Sequence, residues 1–195
     1  VSKSCASMTD VLSLTDEVKA KLTAEQQLYL AMQLLGINPC YGVKILRRFK
    51  AAGEPPLSIF APYVDFCLRV ELFFHMAVSK SRMAPVQRMD LCYLFYLPFC
   101  QVFVSTDWVH KQAAPLFLRA DQEFVLGEHF KAGLKELNDR YLALPETERN
   151  KSIHHMAPSP PTDGDNLVTK LWDRHWPKWR EPRETKASAG DWRKI

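Results

Sequence analysis

Apolar residues recur at helical spacing through most of the chain. Thr23 with Gln26 three positions later is a capping-box pattern that begins a helix, and Gly36 is a typical end of one. A second helix is predicted over residues 41–52, before a Gly- and Pro-rich break. Residues 23–56 are therefore predicted to form a helical hairpin.

A long helix is predicted over residues 62–79, where apolar residues cover nearly the whole circumference. A helix of this kind is usually central and buried. Asp65 and Arg69, four positions apart, are expected to pair on its surface. Glu71 has His75 as its neighbour at that spacing. Either its long side chain reaches water at the helix edge, or it faces a pocket shared with other acids.

The pattern then changes from helix to strand and back to helix. A helix beginning at Asp90 is stopped by Pro98, and residues 101–105 are β-branched and aromatic, as in a buried strand. Asp107 follows that strand and begins a helix over residues 108–118. It is therefore predicted to lie at the carboxyl end of a strand, the edge of an open α/β sheet where ligands bind.

Asp90 and Asp107 have two interpretations. Asp is a favoured N-cap, so each could simply begin its helix. Together with Glu71 they could instead form one acidic constellation, because Mg²⁺ and Mn²⁺ prefer oxygen ligands that several elements bring together. His110, one turn past Asp107, is a candidate contact to substrate phosphate, although such a histidine is more often solvated on its helix.

An Asp that opens a helix, a buried strand ending in Ser/Thr-x-Asp and a following helix resemble the second half of a PIN-like nuclease domain. The resemblance covers roughly residues 60–140. It implies a three-layer α/β fold with a parallel sheet, and a metal-dependent ribonuclease. Carried onto this sequence, the catalytic and Mg²⁺- or Mn²⁺-binding acids are Glu71, Asp90 and Asp107, and the possible substrate contacts are Ser105, Thr106 and His110.

The family's first catalytic Asp follows an N-terminal hydrophobic strand, and residues 1–20 contain no convincing strand of that kind. The strand would then lie upstream of Val1, or this chain would be a degenerate copy that does not cut RNA. Residues 1–22 are expected to form an N-terminal arm.

Beyond the strand, residues 122–127 are a candidate short edge strand, and residues 128–144 form an amphipathic helix. From residue 145 the composition shifts to a Pro-rich linker containing His154-His155, followed by a short helix over residues 166–176 that Asp165 caps.

Four tryptophans are interleaved with Lys and Arg near the carboxyl terminus: Trp172, Trp176, Trp179 and Trp192. Aromatic rings among cations suit single-stranded nucleic acid, through base stacking and phosphate contacts. The alternative is that Trp172 and Trp176, four positions apart, dock on the core.

Composition and net charge exclude few of the possible functions. A net charge of +4 and an estimated pI of 8.8 are compatible with a polyanionic partner. Five cysteines without a CxxC pattern predict reduced thiols in a cytoplasmic protein rather than a zinc site. Apolar runs are too short to span a bilayer, so no membrane partner is expected. P-loop, GxGxxG, GxSxG and HExxH motifs are absent from the sequence.

The sequence thus predicts a helix-rich α/β chain: an arm (1–22), a helical hairpin (23–56), a PIN-like core (57–144) and a C-terminal extension (145–195). The first function is metal-dependent RNA hydrolysis. The second is a non-catalytic PIN-like scaffold that binds a protein partner. The third is a DNA-binding regulator, because Ala31, Gly36-Ile37, Val43 and Leu46-Arg47-Arg48 loosely resemble a helix-turn-helix.

These functions make different geometric demands. The nuclease needs Glu71, Asp90 and Asp107 to converge within reach of a metal ion. The scaffold would leave them dispersed or salt-bridged. The regulator needs an exposed second hairpin helix with Lys44, Arg47 and Arg48 on one face.

Overall fold

The structure is a computed structural model that describes residues 6–151, 159–162 and 164–181. The chain divides into two compact units, Val1–Leu126 and Gly127–Ile195. The prediction of a helix-rich α/β chain with a small parallel sheet is confirmed.

The first unit contains both strands of the sheet. Its helices are α1 (Met8–Ala20), α2 (Ala24–Leu34), α3 (Pro39–Ala51), α4 (Leu57–Phe60), α5 (Pro62–Ser79), α6 (Arg88–Cys92) and α7 (Trp108–Ala113). Short 3₁₀ helices cover Pro85–Gln87, Tyr93–Phe99 and Ala114–Leu116. The strands are β1 (Val102–Ser105) and β2 (Glu123–Leu126).

The hairpin forms where the sequence signals lie. The Thr23 side chain accepts a hydrogen bond from the Gln26 N–H, and the Gln26 side chain accepts one from the Thr23 N–H. Gly36 follows α2 with a φ of +67°, the left-handed conformation that glycine adopts without strain. Helices α2 and α3 therefore form over the two segments where helices were predicted.

The N-terminal residues differ from the expected arm, because α1 is a helix of 13 residues packed against α5. Val11 and Thr15 are fully buried in its inner face. Asp16 binds the Arg69 guanidinium through two hydrogen bonds of 2.7 Å. Asp65 instead pairs with Lys19 at 2.6 Å. Both charges of the expected Asp65–Arg69 pair are thus matched by α1.

Helix α5 is central and buried, as predicted, because it supplies side chains to both hydrophobic cores of the first unit. One core surrounds Phe73, which meets Phe117 edge-to-face at a centroid distance of 5.3 Å. The other lies under the hairpin, where Leu68 and Leu72 pack with Phe49.

The sheet consists of β1 and β2 in parallel register, from Val102 opposite Glu123 to Ser105 opposite Leu126. Both predicted strands are therefore present, although β1 is half-buried rather than buried, with Val104 exposed. The connection between them contains α7, as parallel strands require a long crossover. The carboxyl end of β1 leads directly into Asp107 and α7.

The second unit contains α8 (Gly127–Leu142), α9 (Glu146–Arg149), α10 (Leu167–His175) and a 3₁₀ helix over Pro177–Arg180. Asn166, rather than the expected Asp165, is the N-cap of α10. Its amide also donates to the Gly133 carbonyl at 3.0 Å, which ties α10 to α8. His154, His155 and Trp192 lie outside the described residues.

Among the helices of the described segments, none combines the length and hydropathy needed to cross a bilayer.

The buried aromatic on α5 yields a test of this core. Phe73→Ala should lower the free energy of unfolding by about 3–5 kcal/mol, because it leaves a cavity where a fully buried ring packs against Phe117. Ile59→Ala, at a residue that is 72% exposed, should change it by less than about 0.5 kcal/mol. Urea unfolding followed by circular dichroism measures both, and equal losses would contradict the placement of this core.

Candidate functional site

Glu71 is buried, with 2% of its surface exposed, so its side chain does not reach water at the helix edge as one interpretation had it. Its partner is Arg88 of α6, whose Nη2 donates to Oε1 at 2.8 Å and whose Nε donates to Oε2 at 3.3 Å. His75 is more distant, with Nε2 4.0 Å from Oε2. Hydrogen bonding to Glu71 raises the pKa of Arg88.

Arg88 also reaches the helical hairpin. Its Nη2 donates to the Leu34 carbonyl, the last residue of α2, at 3.3 Å. Carbonyls at a helix C-terminus lack intrahelical partners and attract cations. One guanidinium therefore joins α2, α5 and α6.

Asp107 is the N-cap of α7, as one of its two interpretations predicts. Its Oδ1 accepts from the Val109 N–H at 2.7 Å and from the His110 N–H at 3.3 Å. Its own N–H donates to the Ser105 hydroxyl at 3.0 Å. Thr106, between them, is exposed. The strand end is thus a closed polar turn.

His110 is buried at 7% exposure instead of being solvated. Its Nε2 lies 2.6 Å from the Asp90 carbonyl oxygen, and its Nδ1 lies 2.8 Å from the Ser105 hydroxyl. A carbonyl only accepts, so Nε2 carries a proton. The ring edge also packs against Phe103 and Tyr93. His110 therefore fastens α6 to the carboxyl end of β1.

The structure brings Ser105, Asp107 and His110 together, and Asp90 joins them through its main-chain carbonyl. Asp90 is the third residue of α6, so it is not an N-cap. Asp90 also lines a groove beside α6. The Glu71 carboxylate is paired with Arg88.

Within residues 6–151, 159–162 and 164–181, no group of three or more His, Cys, Asp and Glu side chains is arranged to hold a metal ion. The predicted acids as they lie here do not make a ligand set for Mg²⁺ or Mn²⁺. The metal site stays a prediction from the family resemblance.

The segment after α6 presents an unexpected row of aromatic side chains. A 3₁₀ helix has three residues per turn, so side chains three positions apart lie in line. Leu94 and Leu97 accordingly share the buried side, and the buried Leu91 of α6 lies three positions before them. A second row on another side is exposed: Tyr93 (57%), Tyr96 (65%) and Phe99 (71%).

This row borders a groove of about 460 Å³, which we call the aromatic groove. The groove is lined by Tyr63 of α5, by Tyr93 and Tyr96 of the 3₁₀ helix, and by Met89 and Asp90 of α6. The row continues past the groove, since the rings of Tyr63 and Phe99 have a centroid distance of 5.0 Å.

The groove is held in shape and carries little charge. The Gln122 amide donates to the carbonyls of Leu97 and Cys100, which fixes the end of the 3₁₀ helix. Burial raises the pKa of Tyr63 to about 12 and also raises the pKa of Cys92. Both groups are neutral at physiological pH, and Asp90 supplies the negative charge of the groove.

Sequence reasoning missed this surface, although a signal was present. Residues 91–99 repeat with a period of three, Leu at 91, 94 and 97 and an aromatic at 93, 96 and 99. An α-helix of 3.6 residues per turn would spread both sets over a wide arc, whereas a 3₁₀ helix separates them.

The hairpin retains the features that the DNA-binding alternative needs. Lys44, Arg47 and Arg48 are all exposed on α3, and their positions fall within one arc of the helix. A basic helix face is compatible with phosphate contacts but does not by itself read a base sequence. This alternative stays a prediction.

Comparisons with protein-family models, with curated proteins and with solved structures gave no match to this chain.

Replacing Arg88 should show how much the buried Glu71 carboxylate destabilises the fold when its partner is absent. Arg88→Met should lower the free energy of unfolding by about 3 kcal/mol, because the buried Glu71 carboxylate loses its guanidinium partner. The double variant Glu71→Gln/Arg88→Met should recover most of that loss, since glutamine carries no charge. Urea unfolding measures each variant.

Lys50→Met is the control for a surface pair, because Lys50 and Glu25 are 58% and 34% exposed in their side chains. It should cost less than about 1 kcal/mol. A loss in Arg88→Met no larger than in Lys50→Met would contradict the role of the Glu71–Arg88 pair.

Isothermal titration with Mn²⁺ tests the predicted metal site. From the observed arrangement of the acids, we expect wild type and Asp107→Asn to bind Mn²⁺ equally weakly. Asparagine is as good an N-cap as aspartate, so the variant keeps α7 and removes only a charge. Saturable binding by the wild type that Asp107→Asn abolishes would contradict this expectation and restore the nuclease interpretation.

Proposed function

We propose that this protein is a PIN-like interaction scaffold that holds a protein partner in the aromatic groove. The observation that carries the proposal is the exposed row of Tyr93, Tyr96 and Phe99 beside Tyr63. The PIN-like assignment is supported by the parallel strand pair, the Asp at the carboxyl end of β1 and the acid on the central helix.

The groove has the composition of a protein interface. Tyr, Phe and Met are enriched where proteins meet, and buried aromatic anchors supply most of the binding free energy. Met89 and Phe99 are each 71% exposed, an unusual degree for residues this apolar. Covering them would remove apolar surface from water.

The charge of the groove indicates what the partner presents. Asp90 is its charged wall, and the faces of Tyr63, Tyr93 and Tyr96 are negative regions of aromatic rings. Such rings bind cationic side chains, arginine most often. We therefore infer a partner segment in which Arg or Lys stands next to apolar residues.

Hydrogen bonds within the protein already orient the groove walls. The Asp90 carbonyl is bonded to His110, and the Leu97 and Cys100 carbonyls are bonded to Gln122. A rigid surface loses less conformational entropy on binding than a mobile one. The polar network predicted as catalytic would thus support a binding surface.

Metal-dependent RNA hydrolysis and DNA binding stay predictions. The scaffold is preferred because the Glu71 carboxylate is neutralised by Arg88 and Asp107 is bonded to its own helix. Those are the salt-bridged and dispersed acids that a scaffold would have.

The test uses a fluorescein-labelled peptide of alternating Arg and Leu, titrated with the protein and followed by fluorescence anisotropy. Wild type should bind it saturably. Tyr96→Ala should weaken binding by about tenfold, because an interface aromatic is removed without disturbing the core. Asp90→Asn should weaken it by a few-fold, since a charge partner is lost.

Tyr41→Ala is the matched control, because Tyr41 is 63% exposed on α3 and Tyr96 is 65% exposed. It should bind as the wild type does. Equal binding by Tyr96→Ala and Tyr41→Ala, or equal binding of a Glu-Leu peptide, would contradict the proposal.

A further inference from the structure

Three tryptophans of the second unit pack on one another. Trp172 and Trp176 stack with a centroid distance of 5.7 Å and an interplanar angle of 20°. Trp179 meets Trp172 edge-on, at 5.6 Å and 81°. Their four-residue spacing brings Trp172 and Trp176 together at the end of α10, and Leu171 is buried.

The outer ring of this stack is open to solvent. Trp176 is 65% exposed, which contradicts the alternative in which it docks on the core. Since one face of its indole covers Trp172, the opposite face remains accessible. An exposed flat aromatic face at the end of a stack can accept another planar ring.

The stack is fixed by a charged network. Asp173 accepts hydrogen bonds from the Trp179 indole at 2.9 Å and from the Arg180 guanidinium at 2.7 and 2.8 Å. Arg180 also donates to the Thr162 carbonyl at 2.8 Å and lies over the Trp179 ring at 4.6 Å. These bonds hold Trp179 against Trp172, the ring on which Trp176 stacks.

The sequence around the stack carries a slight excess of basic residues. Between residues 164 and 181 the sequence has four Lys or Arg against three Asp or Glu. Asp173 is neutralised by Arg180, and Lys178 is exposed two positions from Trp176. A planar ring joined to a phosphate matches a stacking face next to an ammonium group.

We propose that Trp176, supported by Trp172 and followed two positions later by the exposed Lys178, is a stacking site for single-stranded nucleic acid. A base covers the free face of Trp176, and Lys178 contacts a backbone phosphate. Single strands are required because the bases of a duplex are already stacked. This site lies in the second unit and is independent of the aromatic groove.

The experiment titrates fluorescein-labelled oligouridylate and oligothymidylate of ten nucleotides with the full chain, and follows anisotropy. Trp176→Ala should weaken binding by about tenfold or more, since stacking on an aromatic ring supplies much of the affinity. Trp176→Phe should retain part of it. Lys178→Gln should lower the slope of log affinity against log salt concentration by about one.

Trp108→Ala is the matched control, because Trp108 is 51% exposed and lies in the first unit. It should bind both oligonucleotides like the wild type. Binding of either one with loss in Trp176→Ala supports the proposal, and the stronger of the two identifies RNA or DNA. Equal affinities of Trp176→Ala and Trp108→Ala overturn it. Equal binding of a duplex also overturns the proposal. Binding of a proline-rich peptide that depends on Trp176, with no binding of either oligonucleotide, overturns it as well.

Discussion

The first unit depends on how its buried charge is matched. Helix α5 runs between two hydrophobic cores and carries Glu71 with 2% of its surface exposed. An isolated carboxylate there would be strongly unfavourable, so a cation must come to it. Arg88 does so from α6, and this fixes where the following segment begins. Leucines 91, 94 and 97 then enter the core, and the aromatics at 93, 96 and 99 are left outside.

The need to pair buried charge also changes how the acidic residues are interpreted. The sequence predicts one acidic constellation of Glu71, Asp90 and Asp107. In the fold, each of these residues has a different structural role. Glu71 forms an ion pair with Arg88, and Asp107 caps α7. The Asp90 carbonyl accepts a hydrogen bond from the His110 ring. The residues that resemble a nuclease site therefore position the neighbouring surface.

Local signals in the sequence predicted much of this fold. The hairpin, the buried α5, the β1 strand and the Asp107 cap follow from capping residues, apolar periodicity and β-branched runs. The partners of buried polar groups could not be predicted, because Arg88 is 17 residues from Glu71 and Asp16 is 53 residues from Arg69. Helix α1 was missed for the same reason, as its weak apolar pattern gains meaning only when Val11 meets α5.

The Arg88 guanidinium has a consequence for cooperativity. Arg88 bonds Glu71 in α5 and the Leu34 carbonyl at the end of α2. The segment that follows Arg88 leads into Leu91, Leu94 and Leu97, which belong to the core around Phe73. One helix and one ion pair thus connect the two hydrophobic clusters, which keeps them from opening as separate foldons. Opening either cluster would expose a buried charge belonging to both. Amide protons of α2 and of α5 would accordingly exchange through the same global opening, as in a single folding unit.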